Sequence, residues 1–173
     1  MRIATKSSKL NISKLENTKK IADIFAKNIF KGNVILFYGE IGVGKTTFIK
    51  SLVNTLEKID NKNISEITSP TFSLMNQYKL NKFDIHHYDL YRLKSEKDIL
   101  SLNIFEDISD KIVLIEWPEI LGEHKPRNTI DINFEYGENF NSRYLTISAY
   151  EKLKIFDEFK SCLLYTSPSP RDF

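Results

Sequence analysis

Two short runs of the chain are apolar without a break, Val34-Ile35-Leu36-Phe37-Tyr38 and Ile112-Val113-Leu114-Ile115. A run of this length leaves no face for water, so each predicts a strand covered on both sides, as in a parallel sheet. Elsewhere the period changes. Phe48, Ile49, Leu52, Val53 and Leu56 recur at helical spacing and predict a helix that packs one stripe on the sheet. Leu15, Ala22, Phe25 and Ile29 predict an earlier helix, opened by Ser13-Lys14-Leu15-Glu16 at capping-box spacing and ending near Lys31-Gly32. Residues 83–92 alternate as a strand with Phe83, Ile85, His87 and Asp89 on one face. Ser95-Glu96-Lys97-Asp98 opens a helix through Leu102, by the same capping logic. Residues 129–135 and 143–149 alternate on either side of the turn-rich Tyr136-Gly137-Glu138-Asn139 and predict an antiparallel pair. Residues 2–6 suggest a short edge strand and residues 150–160 a last helix. The sum is an α/β fold: a mostly parallel central sheet flanked by helices, with a C-terminal antiparallel strand pair.

The join between the first buried strand and its helix carries the chemistry. Gly39-Glu40-Ile41-Gly42-Val43-Gly44-Lys45-Thr46 has the spacing of a phosphate-binding loop and sits in the strand-loop-helix setting such a loop requires. Its backbone N–H groups and the start of the following helix can wrap a polyphosphate, and glycines keep side chains out of the way. Lys45 would place a charge on the outer phosphates, and the Thr46 hydroxyl would hold a bridging Mg²⁺. The fold class narrows to a small P-loop NTPase.

Two acids downstream fit the same site. Glu116 closes the second apolar run, in Glu116-Trp117-Pro118, where the metal-binding element of a P-loop protein belongs. Asp89 ends the alternating strand, at the carboxyl edge where α/β sheets bind ligands. It is placed either to orient the attacking water or a metal-bound water, or to cap the next helix or pair with Arg92. Thr68-Ser69-Pro70-Thr71-Phe72 presents the Thr71 hydroxyl on a loop stiffened by Pro70, as a γ-phosphate sensor or as an ordinary strand entry. His86 and His87 are adjacent and face opposite ways, which argues against a shared metal. Trp117 is either a core anchor or a lid over the site, with the core the expected place for an isolated Trp. Asn81-Lys82-Phe83-Asp84 matches the guanine-reading motif of GTPases but precedes both acids, out of the order that motif needs, and is discounted.

Composition sets the outer bounds. The 173 residues are 41 % apolar, enough for one domain with a real core, and 25 basic against 23 acidic residues give a net charge of only +2. Near balance gives no bulk argument for a DNA, RNA or membrane-surface footprint, so any RNA link must come from elsewhere. No apolar run reaches the length of a spanning helix and the start lacks a signal-peptide core, which predicts a cytoplasmic protein; a basic opening free of acid before Glu16 leaves a transit peptide as the alternative.

Residues 162–173 differ from the rest: they hold the one cysteine, Cys162, two of the five prolines, and a run from Cys162 to Asp172 that reads codon for codon as a transposase-type sequencing adapter. The domain is therefore expected to span 1–161, with 162–173 a non-native tail rather than a natural Ser/Pro-rich segment. Without Cys162 no disulfide, thiol nucleophile or zinc site can be built.

Taken together, Gly39 to Thr46, Ser69-Pro70-Thr71-Phe72, His87-Tyr88-Asp89-Leu90-Tyr91-Arg92-Leu93 and Glu116-Trp117-Pro118 resemble one family over roughly residues 13–150, the bacterial ATPases of tRNA threonylcarbamoyladenosine biosynthesis (TsaE or YjeE). The resemblance implies a small ATPase that helps two partner proteins of a tRNA threonylcarbamoyl-transferase complex modify N6 of adenosine 37. It implies that Gly42, Val43, Gly44, Lys45, Thr46 and Thr47 bind the phosphates of ATP, that Thr46 and Glu116 hold Mg²⁺, and that Asp89 serves hydrolysis with Glu116 and Lys45. Glu16 and Arg143 fall where the family contacts the nucleotide, although Ser142 stands before Arg143 where the family pattern has glycine. A small-molecule or nucleoside kinase, with Asp89 as base toward an acceptor hydroxyl, is the alternative; outside the tail, though, only Arg2, Arg92, Arg127 and Arg143 are available for the arginine-rich lid it needs.

Overall fold

The structure is a computed structural model that describes residues 5–7, 9–70, 72–149 and 156–158. Thr71, the 162–173 tail and most of the expected 2–6 strand and 150–160 helix lie outside the described residues.

Four parallel strands form the middle of one sheet: β3 (Val34–Tyr38), β5 (Asp84–Asp89), β6 (Lys111–Glu116) and β7 (Thr129–Tyr136), in the spatial order β7-β3-β6-β5. All of β6 and the first four residues of β3 are buried, as unbroken apolar runs require. Antiparallel strands close both edges. β4 (Met75–Lys79) pairs with β5 on one side, and β8 (Arg143–Ala149) pairs with β7 on the other. Two short pieces, β1 (Thr5–Lys6) and β2 (Leu10–Asn11), both pair with β8. The expected C-terminal strand pair is thus part of the main sheet, because its first member lies parallel to β3.

Strand alternation divides the core between the two faces. Ile35, Phe37, Ile85, Ile112 and Leu114 pack under α1 (Leu15–Ala26) and α2 (Lys45–Ile59), whereas Val34, Leu36, Tyr88, Val113 and Ile115 pack with α3 (Glu96–Ser101) and the 3₁₀ segment Pro118–His124. α2 buries Phe48, Ile49, Leu52, Val53 and Leu56, the stripe its sequence shows. Ser95 caps α3 by accepting from the Asp98 N–H.

The first helix departs from expectation. Leu15 is exposed, and the buried face is Thr18, Ile21, Ala22, Phe25 and Ala26. Ser13 does not cap it: the N-cap is Lys14, without a side-chain bond, and the Ser13 Oγ instead accepts from the Arg143 N–H at 3.0 Å. Pairing of β2 with β8 draws the chain along the sheet edge as far as Ile12, whose N–H donates to the Arg143 carbonyl at 2.9 Å, and so commits Ser13 to the strand. Trp117 also departs: it is half-buried on the loop after β6, not in the core.

Phe48 ties the first turns of α2 to the sheet. Its ring lies 5.9 Å from Phe25, 6.0 Å from Phe37 and 5.9 Å from Phe134, centroid to centroid, in edge-on or tilted contacts that suit aromatic quadrupoles. Phe48→Ala should lower the unfolding free energy by about 3–5 kcal/mol, measured by urea denaturation.

Candidate functional site

Parallel strands β3, β5 and β6 all end on one edge of the sheet, and the phosphate-loop sequence, Asp89 and Glu116 stand there together. The loop's path depends on missing side chains. Gly39 has φ +147°, and a Cβ there would meet Val43 Cγ1 at 2.9 Å and the Phe134 carbonyl at 3.0 Å. Gly44, at φ +118°, is the left-handed N-cap of α2, which has no acid in its first turn. The helix therefore presents an uncompensated positive end to the loop.

Lys45, the first residue of α2, is 5 % exposed. Its Nζ donates to the Gly39 carbonyl and lies 3.6 Å from the centre of the Trp117 ring. Burial pushes the ammonium below the usual lysine range, opposed by Glu116, Glu119 and Asp89. No ion pair reaches it among the described residues.

Thr46 and Glu116 meet directly, with Thr46 Oγ1 3.0 Å from Glu116 Oε1. Ser69 Oγ lies 2.8 Å from Thr46 Oγ1 and 3.4 Å from Glu116 Oε2, and His87 Nε2 lies 2.8 Å from the same Oε2. Glu116 itself is 2 % exposed. Hard oxygen donors from one acid and one hydroxyl suit Mg²⁺, which keeps water and phosphate oxygens rather than taking a full protein cage. No group of three or more His, Cys, Asp or Glu among the described residues could hold a metal by itself.

Asp89 is beside Glu116 in the strand register, and its Oδ1 accepts from the Tyr91 N–H at 3.0 Å. It thus caps its own turn while standing at the site. Arg92 does not pair with it but lies 5.0 Å from the exposed Phe72 ring. Burial raises the Asp89 carboxyl above the usual carboxylate range, with Glu116 adding to the rise and the Tyr91 N–H working against it. His86 is on the opposite face from His87, so the two share nothing.

Beyond the loop, a cavity of about 350 Å³ opens between Ile12, Leu15, Val43, Thr47, Phe140 and Arg143. The Arg143 guanidinium lies 5.8 Å from the Tyr136 ring, and the turn before it is closed by Gly137 N–H to the Ser142 carbonyl at 2.7 Å, which gives Ser142 a defined place without glycine. Glu16 is not in that wall; it pairs with Lys20 at 3.2 Å on the exposed side of α1. The GTPase-like Asn81-Lys82-Phe83-Asp84 forms the turn between β4 and β5, tied to Asp60 by the Asn81 N–H at 2.6 Å. That turn is at the opposite end of β5 from Asp89, away from the loop.

Ser69 and His87 meet the Thr46–Glu116 pair, although the sequence assigns neither a role within the motifs that contain them. Ser69 was obscured by its neighbour Thr71, whose hydroxyl looked the better sensor. His87 could have been found from its two-residue offset from Asp89, which puts both on the face that carries the loop.

Residues 12–145 match the family described as threonylcarbamoyl adenosine biosynthesis protein TsaE. A Rickettsia conorii protein named tRNA threonylcarbamoyladenosine biosynthesis protein TsaE is 37 % identical over 137 residues, 79 % of this chain and 75 % of that one. A Nostoc protein of the same name is 34 % identical over 149 residues, covering 83 % and 86 %. The crystal structure of Bacillus subtilis YdiB has the same fold, with a TM-score of 0.68 at 23 % identity over 93 % of this chain and 97 % of that one. With its glycine loop, its Thr46–Glu116 pair and these relatives, the chain belongs to the TsaE family.

Proposed function

We propose that this chain binds ATP with Mg²⁺ at residues 42–47 and hydrolyses it, in the cytoplasm, to support threonylcarbamoylation of N6 of adenosine 37 in tRNA together with two partner proteins. The observation that carries the reading is the 3.0 Å meeting of Thr46 Oγ1 with Glu116 Oε1 directly after a glycine loop. The names of the relatives support the tRNA role. The near-balanced charge favours partners, not this chain, as the main tRNA contact. Among the described residues no helix is long and apolar enough to cross a membrane.

Gly42, Val43, Gly44, Lys45, Thr46 and Thr47 cradle the phosphates, and Lys45 exchanges its contacts with the Gly39 carbonyl and Trp117 ring for a phosphate oxygen. Thr46 and Glu116 hold Mg²⁺. When bound, the ion neutralises charge across the outer phosphates. Asp89, one oxygen already anchored by Tyr91, turns the other toward the attacking water. The nucleoside enters the cavity walled by Ile12, Leu15, Val43, Phe140 and Arg143, where a planar guanidinium can cover a base. Glu16, next in sequence to Leu15 of that wall, would contribute only by exchanging Lys20 for the nucleoside. In this scheme catalysis is positioning and electrostatics, with no covalent step on the protein.

Lys45→Ala should lower ATP turnover about 10²–10³-fold and abolish support of multi-turnover tRNA modification by the reconstituted partners. Modification that continues undiminished with this variant overturns the reading, and a phosphorylated small acceptor in place of modified tRNA would establish the kinase instead.

Asp89 yields a two-sided prediction. Its folded-state titration lies above the unfolded one, so the native chain binds that proton more tightly and keeping the group ionised at neutral pH costs stability. That cost is relieved as pH falls through the window between the raised value and the ordinary one. Asp89→Asn should therefore cut ATP turnover about 10²–10⁴-fold yet raise the melting temperature at pH 7, with the gain shrinking as the pH drops below that window. Melting curves from pH 4 to 8 on both proteins check the sign.

A further inference from the structure

His87 is fully buried in β5, and its two ring nitrogens are treated differently. Nε2 lies 2.8 Å from Glu116 Oε2, while Nδ1 is buried with no hydrogen-bond partner among the described residues. An orphaned buried nitrogen carries a desolvation cost that leucine at this position would not. What the imidazole supplies in return is one donor aimed at one oxygen. With no acceptor at Nδ1, the proton belongs on Nε2, which donates to Oε2.

That bond matters because Glu116 has competing choices. Ser69 Oγ lies 3.4 Å from Oε2 and Thr46 Oγ1 3.0 Å from Oε1, so a carboxyl free to turn could give either oxygen to either hydroxyl. His87 approaches from the neighbouring strand, where its register partner is Leu114, two residues before Glu116 on the same face of the sheet. It reaches only Oε2, and it reaches it from a rigid strand. We infer that His87 is a positioning residue: its Nε2–H pins Glu116 Oε2 and thereby keeps Oε1 beside Thr46 Oγ1 as the metal-facing oxygen. Such partners of a ligand are commonly as consequential as the ligand itself.

The inference rests on the reading that Thr46 and Glu116 hold Mg²⁺, and the two can fail separately. Mn²⁺ binding to the full chain loaded with ADP, followed by electron paramagnetic resonance, reads metal affinity without turnover. His87→Leu should weaken Mn²⁺ by about 10–100-fold, whereas His87→Gln, which keeps an N–H donor at the same reach, should recover most of the loss. His86→Gln, on the other face, should bind as wild type. Wild-type affinity in His87→Leu, or equal loss in the Leu and Gln variants, overturns the positioning role. Glu116→Gln separates the premises: if it binds Mn²⁺ as wild type the metal reading falls too, and if it loses Mn²⁺ while His87→Leu does not, only the positioning role falls. Should His87→Leu fail to fold, histidine nitrogen NMR of the wild-type chain decides. The proton must be on Nε2, and its resonance must move when Mg²⁺ is added to the ADP complex; a proton on Nδ1, or a resonance that Mg²⁺ leaves unmoved, overturns it.

Discussion

The site depends on keeping one acid dry and fully bonded. Glu116 is almost sealed at the end of β6, and a carboxyl removed from water is tolerated only where protein groups replace the lost hydrogen bonds. Oε1 faces Thr46, and Oε2 faces His87 and Ser69. These three partners come from positions 46, 69 and 87, on the first turn of α2, a connecting segment and β5, and Glu116 itself ends β6. One side chain therefore sets the mutual position of four segments that local sequence could never align. The connection that brings in Ser69 is itself fastened, since buried Glu57 accepts from the Ser65 N–H at 3.1 Å and from its hydroxyl at 2.6 Å.

The sheet makes this convergence possible. Because β3, β5 and β6 run parallel, the chain leaves all three at the same edge, where a loop, a turn and a left-handed Trp117 at φ 56° depart side by side. Phe134 on β7 limits how the loop can bend, approaching Gly39 so closely that only hydrogen fits. The aromatic cluster below, with Phe48 at its centre, fixes where the helix begins and hence where Lys45 and Thr46 point. Packing on one face of the sheet is thus converted into atomic positions at its edge.

Elements with steep patterns were legible in the sequence: the two unbroken apolar runs, the α2 stripe, the alternating pair 129–136 and 143–149, and the glycine loop. β4 was not, because Met75-Asn76-Gln77-Tyr78-Lys79 is an edge strand with mostly polar residues, and β2 is too short to show any period. Ser13 misled for a tertiary reason, its hydroxyl taken by Arg143 from 130 positions away. Asp89 and Glu116 stood out because acids at strand ends are unusual, whereas Ser69 and His87 are ordinary residues whose meaning comes from register. The cavity wall is the extreme case. Ile12, Val43, Phe140 and Arg143 carry no shared motif, and only the pairing of β2 with β8 and β8 with β7 brings them to the loop.

Lys45 shows how the site connects to the surface. A buried ammonium usually has an acid as partner, yet here the nearest groups are a loop carbonyl and the face of Trp117. A carbonyl and an aromatic ring compensate a cation less fully than a phosphate would, so burial wins and lowers its proton affinity. Trp117 in turn packs on Tyr91, ring centres 4.8 Å apart, and the Tyr91 N–H anchors Asp89. Tyr91 is largely exposed, next to Arg92 with its cation over the bare ring of Phe72. From the lysine, contacts run through Trp117 to Tyr91, whose neighbour in sequence, Arg92, begins a second contact with Phe72 at the surface. A group that took Lys45 away from Trp117 would leave that indole its contact with Tyr91, and with it the link to the turn that anchors Asp89.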